Sequence, residues 1–155
     1  MKKAAVVWSS PNTDGLTASA KDQFVRALID AGSEVNDIHL NMKTLEHCRA
    51  CGNGWGTCNK KGTCVIRDGF AAVYQTLAEA DSIVWISAVY WSDMTECFKA
   101  FFDRLCRCDA TYNHLLAEKR CVLIACASGT GRGALECLTQ LESCLCPLIG
   151  ILFVA

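Results

Sequence analysis

Hydroxyls, an amide and a glycine crowd one short stretch, Ser9-Ser10-Pro11-Asn12-Thr13-Asp14-Gly15-Leu16-Thr17, directly after an apolar run at residues 4–8. A helical pattern starts at its far end. Such a stretch can hold an anion: the first N–H groups of a helix lack partners within it, and the positive end of the helix dipole points the same way. Ser10 and Thr17 offer hydroxyls, Asn12 an amide, and the backbone around Gly15 and Leu16 free N–H groups. With no Lys or Arg in the stretch, backbone dipoles must supply most of the compensation for a phosphate. The same residues also suit an ordinary helix start capped by Thr13 or Asp14. Neither Gly-x-Gly-x-x-Gly nor the Walker Gly-Lys-Ser/Thr is present, which disfavours dinucleotide and ATP cradles.

Two further stretches have the character of ligand loops. In Ala88-Val89-Tyr90-Trp91-Ser92-Asp93, two aromatics stand where a buried strand ends. Stacked on a flat ring, they would exclude water and tune its redox potential; alternatively one of them closes the core under the helix that follows. In Ser128-Gly129-Thr130-Gly131-Arg132-Gly133, glycines allow the backbone close to a planar ligand, or simply form a flexible turn. One phosphate cradle beside a platform for a flat ring matches a mononucleotide, and FMN best.

The third concentration of chemistry is cysteine. Of twelve, Cys97, Cys106, Cys121, Cys126, Cys137, Cys144 and Cys146 lie in apolar or amphipathic stretches and read as small core hydrophobes, while Cys108 has no evident place. Cys48-x2-Cys51-x6-Cys58-x5-Cys64 offers four thiols, the number that zinc or an iron–sulfur cluster takes. The spacing holds one Cys-x2-Cys pair where zinc ribbons have two, and it is looser than the usual cluster runs. The plainer reading is a reduced, Gly-rich lid able to lay Trp55 over a ligand or a second subunit, with His47 an exposed loop residue.

The elements that would position these loops follow from periodicity. Apolar runs at residues 4–8, 82–87, 120–127 and 148–154 read as buried strands, and 34–40, with Asp37 and a solvated His39, as an edge strand. Helical stripes run over 14–31, 69–80, 94–106 and 134–145, with Gly32 and Pro147 as stops and Asp68 as a cap. Leu16 opens the first stripe, Met94 the third, and Leu135 the last. Strands alternating with helices predict a three-layer α/β sandwich with a five-stranded parallel sheet of order 2-1-3-4-5, in a single domain spanning residues 1–155. That order gathers the three loops at the carboxyl edge, where such sheets bind ligands. A phosphoacceptor domain of the same topology would need acidic residues where Ser9 and Ser10 stand. Residues 41–68 have no period and form a Cys/Gly-rich insertion, and a final helix covering the sheet after residue 155 is missing.

Composition narrows the class. The chain has 155 residues, 52% hydrophobic and 20% charged, with a net charge of −1. It is globular, with no nucleic-acid or membrane surface indicated, no apolar run of bilayer length and no signal-peptide core; a reduced, cytoplasmic protein is expected.

Taken together these residues resemble the NADPH-dependent FMN reductase and iron–sulfur flavoprotein group of the flavodoxin-like superfamily, over nearly the whole chain. The resemblance rests on Ser9-Ser10-Pro11 with Gly15 and Thr17, and on Cys48-x2-Cys51 followed by Gly62-x-Cys64-Val65-Ile66-x-Asp68. It rests further on Ala80-Asp81-x-Ile83-Val84, Val89-Tyr90-Trp91-x-x-Met94 and Lys99-Ala100-Phe101-x-Asp103-Arg104. It implies FMN with its phosphate at Ser10, Asn12, Gly15, Leu16 and Thr17, and its ring at Ala88, Val89, Tyr90, Trp91 and Met94, with Ser128 and Gly129 beside it. It implies a homodimer or higher oligomer, NAD(P)H as a transient donor without a motif of its own, and a small molecule or redox protein as acceptor. No side chain need act as acid or base. Cluster-binding members place their third cysteine where Gly54 stands, so a metal at Cys48, Cys51, Cys58 and Cys64 is not expected.

Overall fold

In the computed structural model, which describes residues 1–146, 148 and 152–154, the apolar runs pair into one parallel sheet. Strand β1 (Lys3–Ser9) lies between β2 (Glu34–His39) and β3 (Ser82–Ala88), β4 (Arg120–Cys126) follows β3, and β5 (Leu152–Val154) pairs with β4, giving the order β2-β1-β3-β4-β5. The first four have six or seven residues; β5 has three, shorter than the expected 148–154. Expectations for Pro147 and for residues 149–151 lie outside the described residues. In register, Ser9 stands opposite Ser87, and Ala88 opposite Cys126, so three strands end level at one edge.

Helices flank the sheet: α1 (Leu16–Asp30), the short α2 (Thr57–Lys61), α3 (Phe70–Glu79), α4 (Glu96–Cys108) and α5 (Gly133–Leu145). α1 ends as expected, with Gly32 at φ +80 and its N–H on the Ile29 carbonyl. The larger core joins Trp85, Phe70, Phe98, Phe101 and Phe102 under α3 and α4; the smaller joins Val6, Trp8, Val84 and Ile86 under α1. Burial pushes the thiols of Cys108 and Cys137 up to about 12 and of Cys106 and Cys121 to about 11, so these side chains stay neutral and pack as small hydrophobes. Cys108, unplaced by sequence, is buried, whereas Cys146 is exposed and not a core residue. Leu16 and Leu135 are also corrections: both stand in the first turn of their helices, beyond the sheet edge, and are 60% and 71% exposed.

The 41–68 segment is better fastened than an aperiodic stretch suggests, and it contains the one-turn helix α2. Asp68 caps α3 through the Phe70 N–H (3.1 Å) and takes both terminal nitrogens of Arg104 (2.6 and 2.8 Å), with both side chains almost fully buried. Arg104 also donates to the Glu46 carbonyl, so one guanidinium clamps both ends of the loop onto α4. Beyond α4 a π-helical turn, Asp109–Asn113, buries Asp109, whose carboxylate accepts from the Tyr74 hydroxyl (2.5 Å) and the Leu115 N–H (2.8 Å).

Burial alone would raise the Asp68 carboxyl, but Arg104 and two backbone N–H groups outweigh it and hold it at about 2. The stability this pair contributes is therefore complete above pH ~4. It is lost as pH falls through about 2. Asp68→Asn leaves Arg104 buried without its counter-charge and should cost about 3–5 kcal/mol in urea unfolding at pH 7; a cost under about 1 kcal/mol would show that water already screens the pair.

Candidate functional site

The three loops meet at the edge the topology predicts. Behind them is a buried hydroxyl cluster: Ser9 Oγ lies 2.5 Å from Thr95 Oγ1 and donates to Asn41 Oδ1 (2.7 Å), while the Thr95 N–H donates to Ser87 Oγ (3.2 Å). Thr95 is also the N-cap of α4, accepting from the Phe98 N–H. The first loop, the second strand end and the start of α4 are thus one hydrogen-bonded unit. The third loop joins it through the Val89 N–H on the Cys126 carbonyl (3.0 Å).

Gly133 makes this approach possible. A Cβ there would stand 3.0 Å from Ser92 Cα and 3.1 Å from Val89 Cγ1, tighter than side-chain carbons ordinarily pack, so a side chain would press the second and third loops apart by a few tenths of an ångström or more. At Gly129 nothing lies near the Cβ direction among the protein's own atoms, and its need for glycine is conformational, with φ +63.

In the first loop, Ser10 is buried and its Oγ accepts the Asn12 N–H (3.1 Å), folding the loop back on itself. The N-cap of α1 is Gly15 rather than Thr13 or Asp14, and no side chain caps the helix. The first-turn N–H groups, at Leu16, Thr17 and Ala18, therefore face the loop without a capping side chain. Asn12 is exposed; Leu16 offers its backbone only, because its side chain points to solvent. Thr17 is buried, with its hydroxyl beside the Cys126 thiol.

His39, expected to be solvated, instead supports this loop. Its ring stacks on Trp8 at 3.6 Å and 9°, and Nε2 lies 2.8 Å from the Ser10 carbonyl. A carbonyl only accepts, so Nε2 carries the hydrogen. Asp37 fixes the other partner by accepting from Trp8 Nε1 (2.8 Å).

The second loop is strained. Tyr90 and Asp93 exchange both backbone hydrogen bonds at 3.0 Å, closing a two-residue turn in which Trp91 (φ +51) and Ser92 (φ +67) are left-handed. Asn-Gly or Gly-Gly normally fills such a turn. Trp91 is 96% exposed and Tyr90 45%, so neither closes the core. Met94 does: its side chain is in the main core, and only its N–H, bound to Asp93 Oδ1 at 2.7 Å, belongs to the turn. Ser128 is exposed, and its carbonyl accepts the Gly131 N–H. Beside Tyr90, an open groove of about 370 Å³ is lined by Pro11, Asn41, Thr95, Glu96 and Cys97.

Sequence reasoning gave no part in the site to Thr95, Ser87 or His39, and named Ser9 and Gly133 only as members of their loops. Thr95 had a legible signal, a threonine just ahead of an amphipathic helix. The contact at Gly133 was not legible, because its neighbours come from another loop.

The cysteine loop forms a separate place, at the far end of α4 from Thr95. Cys48, Cys51, Cys58, Cys64 and Cys108 line one cavity of about 30 Å³ with Arg104 and Arg107. Among the described residues, no three Cys, His, Asp or Glu side chains are arranged to hold a metal ion. Among the described residues no helix is long and apolar enough to cross a membrane.

Comparison with known proteins agrees with this architecture. The iron–sulfur flavoprotein of Archaeoglobus fulgidus is 32% identical over 103 residues, covering 66% of this chain and 45% of that protein. An iron–sulfur flavoprotein of Methanocaldococcus jannaschii is 28% identical over 102 residues, covering 66% and 51%. The chain thus spans about half the length of the curated relatives it matches. The NAD(P)H:quinone oxidoreductase of Methanothermobacter marburgensis superposes on 99% of the chain and 81% of its own length, with a TM-score of 0.76 at 16% identity, a likeness of fold. With a flavodoxin-like sheet, its loops joined at one edge, and a family match running from residue 2 to residue 155, the chain belongs to the NADPH-dependent FMN reductase family.

Proposed function

We propose that the chain binds FMN at the joined carboxyl edge and passes electrons from NAD(P)H to a small-molecule or protein acceptor. The observation that carries this reading is the fastening of three loops around an uncapped helix start, beside two exposed aromatics. The edge suits the cofactor. The phosphate would lie against the N–H groups of Leu16, Thr17 and Ala18, with the Ser10 hydroxyl and Asn12 amide beside it; no basic side chain stands in that loop, so backbone dipoles carry the charge. Ala88, Val89, Tyr90 and Trp91 would border the ring, with Ser128 and Gly129 completing the rim.

When bound, FMN supplies the hydride and electron chemistry. The chain's own contribution is to bind and orient: Ser10 shapes the cradle, His39 holds the Ser10 carbonyl, and Gly133 keeps two loops in contact. Tyr90 and Trp91 keep water from the ring. The groove beside Tyr90 has room for a ring-sized donor or acceptor. Exposed Trp91 and Trp55 favour a homodimer that covers them.

The iron–sulfur cluster named in the relatives does not fit the cysteine loop. Gly54, where a third ligand would fall, has φ +89, a backbone conformation that residues with side chains rarely adopt. The cavity behind it, about 30 Å³, is shared with two guanidiniums and is too small for a four-iron cube.

Titration of FMN into the protein, followed by quenching of flavin fluorescence, should saturate at one FMN per chain, and NADPH added without oxygen should then bleach the flavin absorbance. Protein that takes up no FMN would contradict the site; protein that takes it up without bleaching would be an electron carrier. Ser10→Ala should weaken FMN about 5–10-fold through the loss of one loop hydrogen bond. Gly133→Val should abolish binding while far-UV circular dichroism stays unchanged. Trp91→Gly separates strain from stacking: it should raise stability by about 1 kcal/mol by relieving the left-handed backbone, yet lower FMN affinity. A rise in both would mean Trp91 does not touch the ring.

A further inference from the structure

The groove beside Tyr90 is lined by a side-chain amide whose two ends face different partners. Asn41 stands in the one-turn 3-10 segment Leu40–Met42, and the buried Leu40 side chain anchors that turn in the main core. The carbonyl end of the amide, Oδ1, accepts the Ser9 hydroxyl at 2.7 Å. Ser9 has a single hydrogen to give, so the hydrogen in its short contact with Thr95 belongs to Thr95. Thr95 Oγ1 in turn accepts the Phe98 N–H. The donors therefore run outward from the start of α4, from Phe98 to Thr95 to Ser9, and end on Asn41 Oδ1. Turned round, the amide would leave one hydrogen of these two buried hydroxyls without an oxygen acceptor among the described residues. The Nδ2 end has no hydrogen-bond partner among the described residues, and Asn41 lines the groove.

We infer that Asn41 orients the ligand that enters this groove, its side-chain N–H donating to a carbonyl oxygen on a flat ring. The inference rests on the reading that FMN occupies the joined edge, since the groove then opens beside the ring. A small-molecule site is mostly apolar, with a few fixed polar groups that set orientation. Pro11 and the Tyr90 ring supply apolar walls, and a volume of about 370 Å³ suits one ring system. Among the described residues no lysine or arginine lines the groove, and its one charged side chain is Glu96. A carboxylate or phosphate would meet no cation there, whereas a carbonyl oxygen needs only a donor. Quinones and the nicotinamide carboxamide both present such an oxygen on a flat ring. The amide is a precise donor because its other end is held: Ser9 fixes the side chain, and the buried cluster that joins the loops fixes Ser9. Asn41 is thus a positioning residue, and one set of hydrogen bonds both joins the loops and aims the donor.

The test is NMR of the isotope-labelled, FMN-loaded chain titrated with two uncharged probes, duroquinone and nicotinamide. The Asn41 side-chain amide signals, assigned by their loss in Asn41→Asp, should shift saturably with at least one of them. Which probe moves them tells a quinone carbonyl from a carboxamide. Asn41→Asp keeps an oxygen for the Ser9 hydroxyl and removes only the N–H donors, so it should still take up FMN while binding that probe about 3–10-fold more weakly. Asn41→Leu removes the acceptor as well and should weaken FMN too. Asn41 amide signals that stay fixed with both probes, or a probe held equally by wild type and Asn41→Asp, would overturn the inference and leave the FMN reading standing. Wild type that loads no FMN would remove that reading, and this inference with it. The wild-type shifts decide the matter even if a variant fails to fold.

Discussion

The short contact between Ser9 and Thr95, inside the sheet's carboxyl edge, is the constraint on which the site depends. Both side chains are buried, so neither hydroxyl has water to fall back on, and the two find their partners in each other and in Asn41, while the Thr95 N–H goes to Ser87 Oγ. That requirement fixes where the first loop stops, where α4 begins and how the second loop leaves β3. A parallel sheet brings strand ends level; it does not by itself hold the loops beyond them together. Polar groups that are costly to leave unpaired do that work, and they leave the helix start of α1 without a cap of its own.

Strain is concentrated in the same place. Trp91 and Ser92 occupy backbone conformations that side chains disfavour, in a turn pinned by two reciprocal hydrogen bonds. Nothing in the core requires Trp91 there, since it is almost wholly exposed. Such a cost persists where surrounding structure over-determines it, and it marks the turn as a presented surface rather than a connection.

Much of this was legible in the sequence because hydrophobic period is a strong signal where an element is buried on one side or both. Val6, Val7, Ile83, Val84, Trp85 and Ile86 could only be strands of a covered sheet, and the alternation with amphipathic helices left few topologies. What was not legible depends on partners distant in sequence. His39 reads as a polar residue on an edge strand; it becomes a support only because Trp8 and Ser10 lie alongside. Met94 reads both as the start of a core-facing stripe and, by resemblance, as part of a ring platform; its side chain follows the stripe into the core. Cys108 had no role until the excursion after β2 folded back onto the end of α4, held by Arg104 and Asp68. Leu135 followed the helical stripe, but its helix starts beyond the sheet and leaves it nothing to pack on.

The account turns on one claim: that the joined edge, and not the cysteine cavity or the open groove alone, receives the cofactor. Mapping backbone amide shifts by NMR during FMN titration tests it most directly. The account predicts saturable shifts at Leu16, Thr17 and Ala18, at Tyr90 and Trp91, and at Gly129, with Cys58, Cys64 and Cys108 unmoved. Shifts confined to the cysteine loop, or no shifts at the start of α1, would contradict it.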